Sequence, residues 1–242
     1  MSDVLYIVIP AYNESENIEG LIASWYPIVE EHNGDGRSRL VIINDGSKDN
    51  TFENIYRLSM SRPLLVPLNK RNGGHGDTVL YGYRYALKHD AEYIFQTDSD
   101  GQTNPAEFQH FWDQRKSFDA IFGNRTHRGD GRDRVFVEKV LCIILRVIFD
   151  VKVPDSNAPF RLMSRIYVEK YIKKIPRHYN LPNVMLTLFG VYYNDRVKFI
   201  PISFKPRQGG KNSMNVGKII RIGLQAVRDF IVISRRMSDR LS

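Results

Sequence analysis

Cysteine is almost missing from this 242-residue chain, which holds Cys142 alone. One thiol excludes an intramolecular disulfide and a cysteine-based metal cluster, and its apolar surroundings in the sequence suit a core position. Long apolar runs are missing too. The run around Cys142, residues 141–145, is broken by Arg146 and falls far short of the ~20 residues that cross a bilayer. The first residues lack a basic-then-apolar leader. No secretory signal is therefore expected, and the protein is read as cytoplasmic, peripheral on the inner face of a membrane. Internal repeats and low-complexity segments are absent. So is a basic platform interleaved with aromatics, which argues against nucleic acid as a partner despite a net charge of +8.

That charge is unevenly divided. Residues 1–115 carry a net −7 and residues 116–242 a net +15. An acidic half needs a cation to hold an anionic ligand, and a basic half suits a second anion or an anionic surface. A solvated, solubilising surface would look the same by charge alone. The length allows one large domain or two closely joined halves.

Apolar periodicity predicts strands over residues 5–9 (stopped by Pro10), 40–43, 64–68, 93–97, 120–122 and 198–204. Helices fall between them. Ile18, Leu21, Ile22, Trp25 and Val29 follow helical spacing after a start signal at 13–16. A second helix runs from Thr51 with Phe52, Ile55 and Tyr56 inward, and a third buries Val79, Leu80, Tyr83 and Leu87. Strands alternating with helices on short connections predict an α/β fold with a doubly wound, mostly parallel sheet. After Phe122 the alternation ends. A polar loop over 124–134, a helix over 135–149, a turn over 155–161, a helix from Ser164, a basic loop over 205–214 and a last helix over 218–237 follow. The last helix could lie on a membrane surface or pack on the core.

In such sheets ligands bind beyond the carboxyl ends of the strands. Four polar segments end strands there: Pro10 to Glu14, Asp45 to Ser47, the Gly-rich NKRNGGHG over 69–76, and FQTDSDGQTNP over 95–105. In the last, Asn104, Pro105 and Glu107 carry the signals of a helix start with a capping box. Asp98, Asp100 and Gln102 offer three oxygens at alternate positions, which suit a hard divalent cation, Mg²⁺ or Mn²⁺, sharing a substrate's phosphates. An Asx turn leading into a helix would use the same residues. Asp45 could accept hydrogen bonds from a base or ribose, and Asp98 could contact ribose or metal. His75, one of six histidines, reads as a loop residue rather than a metal ligand.

Taken in order, VIPAYNE (8–14), INDGSKDNT (43–51), NGGHG (72–76), DSDGQ (98–102), GNR (123–125) and PRQGGKNS (206–213) resemble the inverting family 2 glycosyltransferases. Within them the set is most similar to the dolichyl- and polyprenyl-phosphate sugar synthases. The resemblance implies a GT-A (Rossmann-like) fold with a nucleotide-sugar-binding half over 1–125 and an acceptor-binding half over 126–242. It implies a UDP- or GDP-linked donor on Pro10, Tyr12, Glu14, Asp45 and Asp98, and a metal on Asp98, Asp100 and Gln102. It turns Arg125, Arg134, Arg161, Arg207, Lys211 and Ser213 toward the acceptor phosphate or the diphosphate. Asp155 stands where the family carries an acidic residue proposed as a base, so Asp155 and Arg125 are the catalytic candidates.

The implied activity is transfer of a sugar to a polyprenyl or dolichyl phosphate. Alternatives are transfer to a saccharide hydroxyl of a glycan, or a catalytically silent nucleotide-sugar binding module. A hydroxyl acceptor needs a general base, whereas a lipid phosphate is already anionic and needs cations. The +15 half favours the latter, with Asp155 orienting Arg161 or the acceptor. Two departures from the family pattern stand out. Pro159 replaces the Gly of its G-F-R motif, and Glu138 stands where a Ser is usual and would repel a phosphate if it faced the site.

Overall fold

The structure, a computed structural model, describes residues 3–128, 132–206, 225 and 227–234, without the side chains of 127, 128 and 132–136. Strands β1 (Leu5–Ala11), β2 (Arg39–Asp45), β3 (Leu65–Lys70), β4 (Tyr93–Thr97), β5 (Ala120–Arg128), β6 (Phe160–Ser164) and β7 (Val197–Phe204) form a seven-stranded sheet. Its order is β3-β2-β1-β4-β6-β5-β7, with β6 antiparallel to both neighbours and the other pairs parallel. Helices α1 (Ile18–Glu31), α2 (Thr51–Ser59), α3 (His75–Lys88), α4 (Phe108–Trp112), α5 (Arg132–Phe149), α6 (Arg165–Ile172) and α7 (Pro182–Tyr192) flank it.

The strand period of two sorts side chains to two cores. Leu5, Ile7 and Ile9 of β1 join Ile22 and Trp25 of α1 and Phe108 and Phe111 of α4 on one face. Tyr6 and Val8 join Val79 and Tyr83 of α3, Tyr167 of α6 and Met185 of α7 on the other. Burial on both faces is why the strands read as unbroken apolar runs.

Several local expectations are corrected. β1 runs on through Pro10, which sits opposite Ile43. Pairing with β4 stops at Val8, so one side of β1 is open beyond it and the missing N–H of proline breaks no ladder there. Tyr56 is 54% exposed and Phe52 only half-buried, because Thr51, Ile55 and Leu58 form the inner stripe of α2. Asn104 caps as expected, accepting from the Ala106 N–H, but it opens a 3₁₀ turn. Glu107 does not close a capping box; its carboxylate accepts from the Ser203 N–H on β7 at 3.0 and 3.2 Å.

β6 and α7 had no place in the sequence reading. β6 is five residues long with Arg161 among apolar neighbours, so it shows no alternation. α7 is buried from Pro182 through Gly190 and presents no amphipathic stripe.

Helix α3 passes close against the sheet at Gly82. A Cβ there would lie 2.3 Å from Val8 Cγ1 and 3.0 Å from Ile43 Cδ1. Replacing a mid-helix glycine by alanine gains about 1 kcal/mol of helix propensity, while overpacking a core costs about 1–3 kcal/mol. The overlap should win. Gly82→Ala is expected to lower the melting temperature; an unchanged or raised value would show that α3 can lift away from β1.

Candidate active site

The chain builds β1, β2 and β3 outward, then α3 carries it back to β4 on the other side of β1. That reversal opens a crevice at the carboxyl ends of β1 and β4. The loops that leave these strands are laced together. Asn13 takes a φ of 55°, a conformation asparagine tolerates, and its N–H donates to Ser47 Oγ (2.9 Å) while its Oδ1 accepts from the Lys48 N–H (2.8 Å). Pro10 is buried in β1 and Tyr12 half-buried just beyond it. Glu14 is buried, its N–H on Thr51 Oγ1 (2.8 Å) and its carboxylate accepting from Asn17 Nδ2 (2.7 Å).

Asp45 is 3% exposed and its carboxylate is engaged by protein donors. Oδ1 accepts from Lys70 Nζ (2.6 Å) and the Gly73 N–H (2.9 Å), and Oδ2 from the Gly74 N–H (2.9 Å). A structural role thus accompanies the expected base or ribose contact, because Gly74 at φ 88° turns two backbone N–H groups onto the carboxylate. Gly76 is fixed differently: a Cβ there would meet the Tyr179 carbonyl oxygen at 2.2 Å. Beside this loop a cleft of about 410 Å³ is lined by Asn44, Ser47, Phe52, Asn69, Lys70 and Arg71, among others.

Asp98 follows β4 directly. Its Oδ1 accepts from Gln96 Nε2 (3.0 Å) and pairs with His75 Nε2 (2.9 Å), while Oδ2 has no partner among the described residues. His75, expected as a plain loop residue, is the first residue of α3 with its ring on this carboxylate. Crowding of the ring works to lower its pKa, but the carboxylates of Asp98, Asp100 and Asp45 outweigh that and raise it. Gln102 is 1% exposed. Its Nε2 donates to the Lys205 carbonyl (2.9 Å), its own carbonyl accepts from the Lys205 N–H (2.8 Å), and its Oε1 is buried without a hydrogen-bond partner among the described residues. Asp100 Oδ1 accepts from the Gln102 N–H (3.3 Å).

A buried amide oxygen without a donor is an unmet acceptor, and with Asp98 and Asp100 it completes an all-oxygen set suited to Mg²⁺ or Mn²⁺. Among the described residues no group of three or more His, Cys, Asp or Glu could enclose a metal. These residues therefore fit a cation whose remaining ligands come from water and a bound anion.

Across the sheet, β6 begins where β4 ends, Phe160 opposite Thr97, so the 155–157 turn and the end of β5 reach the same edge. A register shift between Arg125 and His127 marks a bulge, a device that re-aims side chains beside sites. Arg125 forks onto Asp155, Nε to Oδ2 at 2.7 Å and Nη2 to Oδ1 at 2.8 Å. Burial would raise the Asp155 pKa, yet the guanidinium and the N–H groups of Arg125 and Asn157 hold it below the usual carboxylate range. Glu138 turns inward: Oε2 lies 3.4 Å from Arg125 Nη2, and Oε1 accepts from the Ser156 N–H and Oγ, both at 2.6 Å. It therefore supports the arginine instead of facing a phosphate. Cys142 is half-buried beside it, and burial with this carboxylate pushes its thiol up to about 12.

Arg161 is corrected outright. It is fully buried, with Nη1 on the Asn183 carbonyl (2.6 Å), Nη2 on Thr187 Oγ1 and its guanidinium over the Phe122 ring at 4.0 Å. It does not face the crevice, and Asp155 orients Arg125 rather than Arg161. Arg207, Lys211 and Ser213 lie outside the described residues, as does the side chain of Arg134. Sequence reasoning missed Lys70, Gln96 and Asn183. Lys70 stood inside the quoted Gly-rich segment; Gln96 and Asn183 carried no signal, being single amides in apolar stretches.

Comparison with known proteins agrees with this layout. A family model described as glycosyl transferase family 2 matches residues 6–172. An uncharacterized glycosyltransferase of Synechocystis sp. is 26% identical over 96% of this chain and 71% of its own length. The prophage bactoprenol glucosyl transferase homolog of Escherichia coli is 28% identical over 96% of this chain and 73% of its own. A dolichyl-phosphate beta-glucosyltransferase of Trichomonas vaginalis is 28% identical over 65% of this chain and 51% of its own. Among solved structures, glucosyl-3-phosphoglycerate synthase of Mycobacterium tuberculosis in complex with Mn²⁺ and UDP-glucose superposes with a TM-score of 0.64 at 18% identity, covering 96% of this chain and 79% of that one. With the family match running from β1 through α6 and the fold shared with GT-A neighbours, the chain belongs to glycosyl transferase family 2.

Proposed function

We propose that this protein moves a sugar from a nucleotide-sugar donor, UDP- or GDP-linked, to a polyprenyl or dolichyl phosphate with inversion at the anomeric carbon. The observation that carries the reading is the forked Arg125–Asp155 pair. A hydroxyl acceptor would need a free base, and a carboxylate clamped by a guanidinium with a depressed pKa is a poor one. An anionic acceptor needs none: its phosphate oxygen attacks the anomeric carbon as the bond to the diphosphate breaks, and no proton moves. Two relatives bear names that specify dolichyl phosphate and bactoprenol.

Residues 1–125 form the donor half and 126–242 the acceptor half in this reading. Asp98, Asp100 and Gln102 would hold Mg²⁺ or Mn²⁺, which when bound neutralises charge on the leaving diphosphate. The Asp45-held loop shapes the donor pocket, with Pro10, Tyr12 and Glu14 below it. Arg125, and by resemblance Arg134, Arg207, Lys211 and Ser213, attract the acceptor phosphate.

Membrane attachment is peripheral in this reading. Among the described residues no helix is long and apolar enough to cross a membrane. α5 exposes Ile143 (60%) and Val147 (79%) beside exposed Lys139 and Arg146. The helical stretch 227–234 packs Phe230 on Phe149 and exposes Arg228, Ile231 and Val232. Apolar and basic residues together suit an anionic lipid surface.

Three outcomes are expected. Purified protein with Mn²⁺, a panel of UDP- and GDP-sugars and a short polyprenyl phosphate should form a glycolipid that chelator abolishes; transfer to a saccharide alone would move the acceptor, and donor binding without transfer to either would leave a silent module. Asp155→Asn should lower kcat/KM roughly ten- to hundredfold, the worth of about 1.5–3 kcal/mol for a charged hydrogen bond. It should keep the same pH profile, with an acid limb near about 6 from the acceptor phosphate; loss of that limb would make Asp155 the base. The pair Ile143→Glu with Val147→Glu should abolish sedimentation with phosphatidylserine vesicles at unchanged melting temperature, and retained binding would remove this face from the proposal.

A further inference from the structure

A buried hydrogen-bonded chain joins the two ends of the crevice. Asn183, in the first turn of α7, donates from Nδ2 to Gln96 Oε1 (2.9 Å) and accepts at Oδ1 from Tyr83 Oη (2.9 Å). Gln96 in turn donates to Asp98 Oδ1 (3.0 Å), the oxygen shared with His75, which leaves Oδ2 for a ligand. From the same residue a second arm leaves. The Asn183 carbonyl accepts from Arg161 Nη1 (2.6 Å), Arg161 Nη2 donates to Thr187 Oγ1, and Thr187 Oγ1 lies 3.0 Å from the Ser156 carbonyl oxygen. Ser156 donates its N–H and hydroxyl to Glu138, whose other oxygen lies against Arg125.

Packing alone does not require this arrangement. Tyr83, Gln96, Arg161, Ser156 and Thr187 are fully buried, and among the described residues Arg161 makes no ion pair with a carboxylate. A buried cation without a counter-charge is expensive, and apolar residues of similar volume would serve stability as well or better. Each arm ends on a group that borders the crevice.

We propose that Asn183 is a positioning residue: through Gln96 it sets the Asp98 carboxylate, and through Arg161, Thr187 and Ser156 it sets the Glu138–Arg125 pair, so that the first turn of α7 spaces the donor and acceptor sides. The proposal rests on the transferase reading given above. It assigns separable effects to the two arms, because groups that orient a metal-binding carboxylate alter binding without touching the ligand.

The test measures UDP binding in Mn²⁺ by calorimetry, without turnover, alongside acceptor KM and kcat, on the full chain. Gln96→Met should weaken Mn²⁺-dependent UDP binding about tenfold or more and leave the acceptor KM in place. Ser156→Ala, which keeps the backbone N–H on Glu138, should raise the acceptor KM and leave UDP binding in place. Asn183→Leu removes the side-chain arm and keeps the backbone carbonyl on Arg161, so it should weaken UDP binding and leave the acceptor KM in place. Tyr83→Phe removes a single hydroxyl and keeps the ring; should Asn183→Leu fail to fold, it provides the reading, with UDP binding weakened about two- to tenfold. A purely structural network would lower the melting temperature and the active fraction, hence kcat, with UDP affinity and acceptor KM unchanged. That result, in a wild type that transfers sugar, overturns the positioning role alone. A wild type that neither binds UDP nor transfers overturns the transferase reading together with it.

Discussion

The fork between Arg125 and Asp155 is the constraint on which the β5–β6 side of the crevice depends. Two short charge-assisted bonds, 2.7 and 2.8 Å, fix a guanidinium that would otherwise be one of many flexible cations in a basic half. Guanidinium geometry matters here, since a planar fork matches a carboxylate at two points and a lysine would not. Glu138 then sits 3.4 Å from the same guanidinium and holds the turn that carries Asp155 by accepting twice from Ser156. A carboxylate that looked hostile to a phosphate is in this way part of the frame for the arginine. Two acidic side chains on one guanidinium also temper its charge.

On the β1–β4 side the governing feature is the sheet's reversal between those two strands. It brings Asp98 and Gln102 to a crevice whose rim is made rigid by Asp45. That carboxylate gathers Lys70, Gly73 and Gly74, so the glycine-rich loop is held by an anion that belongs to the protein. Gln102 ties the same rim to the far end of β7 by two bonds with Lys205. The basic segment that follows Lys205 therefore starts from a fixed point beside Gln102. The chain through Asn183 and Arg161 adds a further link, and it runs through the interior where water cannot compete.

How much of this was legible in the chain varies by physical signal. Strands buried on both faces left apolar runs, and the polar loops that end them left Asp, Gly and Asn punctuation, so the parallel half and the crevice residues Asp98, Asp100 and Gln102 could be read directly. β6 and α7 could not, because total burial erases the period that marks an element. Tyr56 and Phe52 were misplaced because an apolar residue at helical spacing carries no statement of which stripe turns inward.

The sequence by itself determined the α/β class, the order of motifs and the chemistry available at each strand end, since these follow from local periodicity and residue type. Only the tertiary structure decided what each charge does. As letters Asp45 and Arg161 read as ligand contacts and Glu138 as a charge opposed to a phosphate, yet each is engaged by residues elsewhere in the chain: Asp45 by Gly73 and Gly74, Glu138 by Ser156 and Arg125, Arg161 by Asn183 and Thr187. A buried polar group must find its partner in space, and which partner it finds depends on strand order and register, which no local pattern encodes.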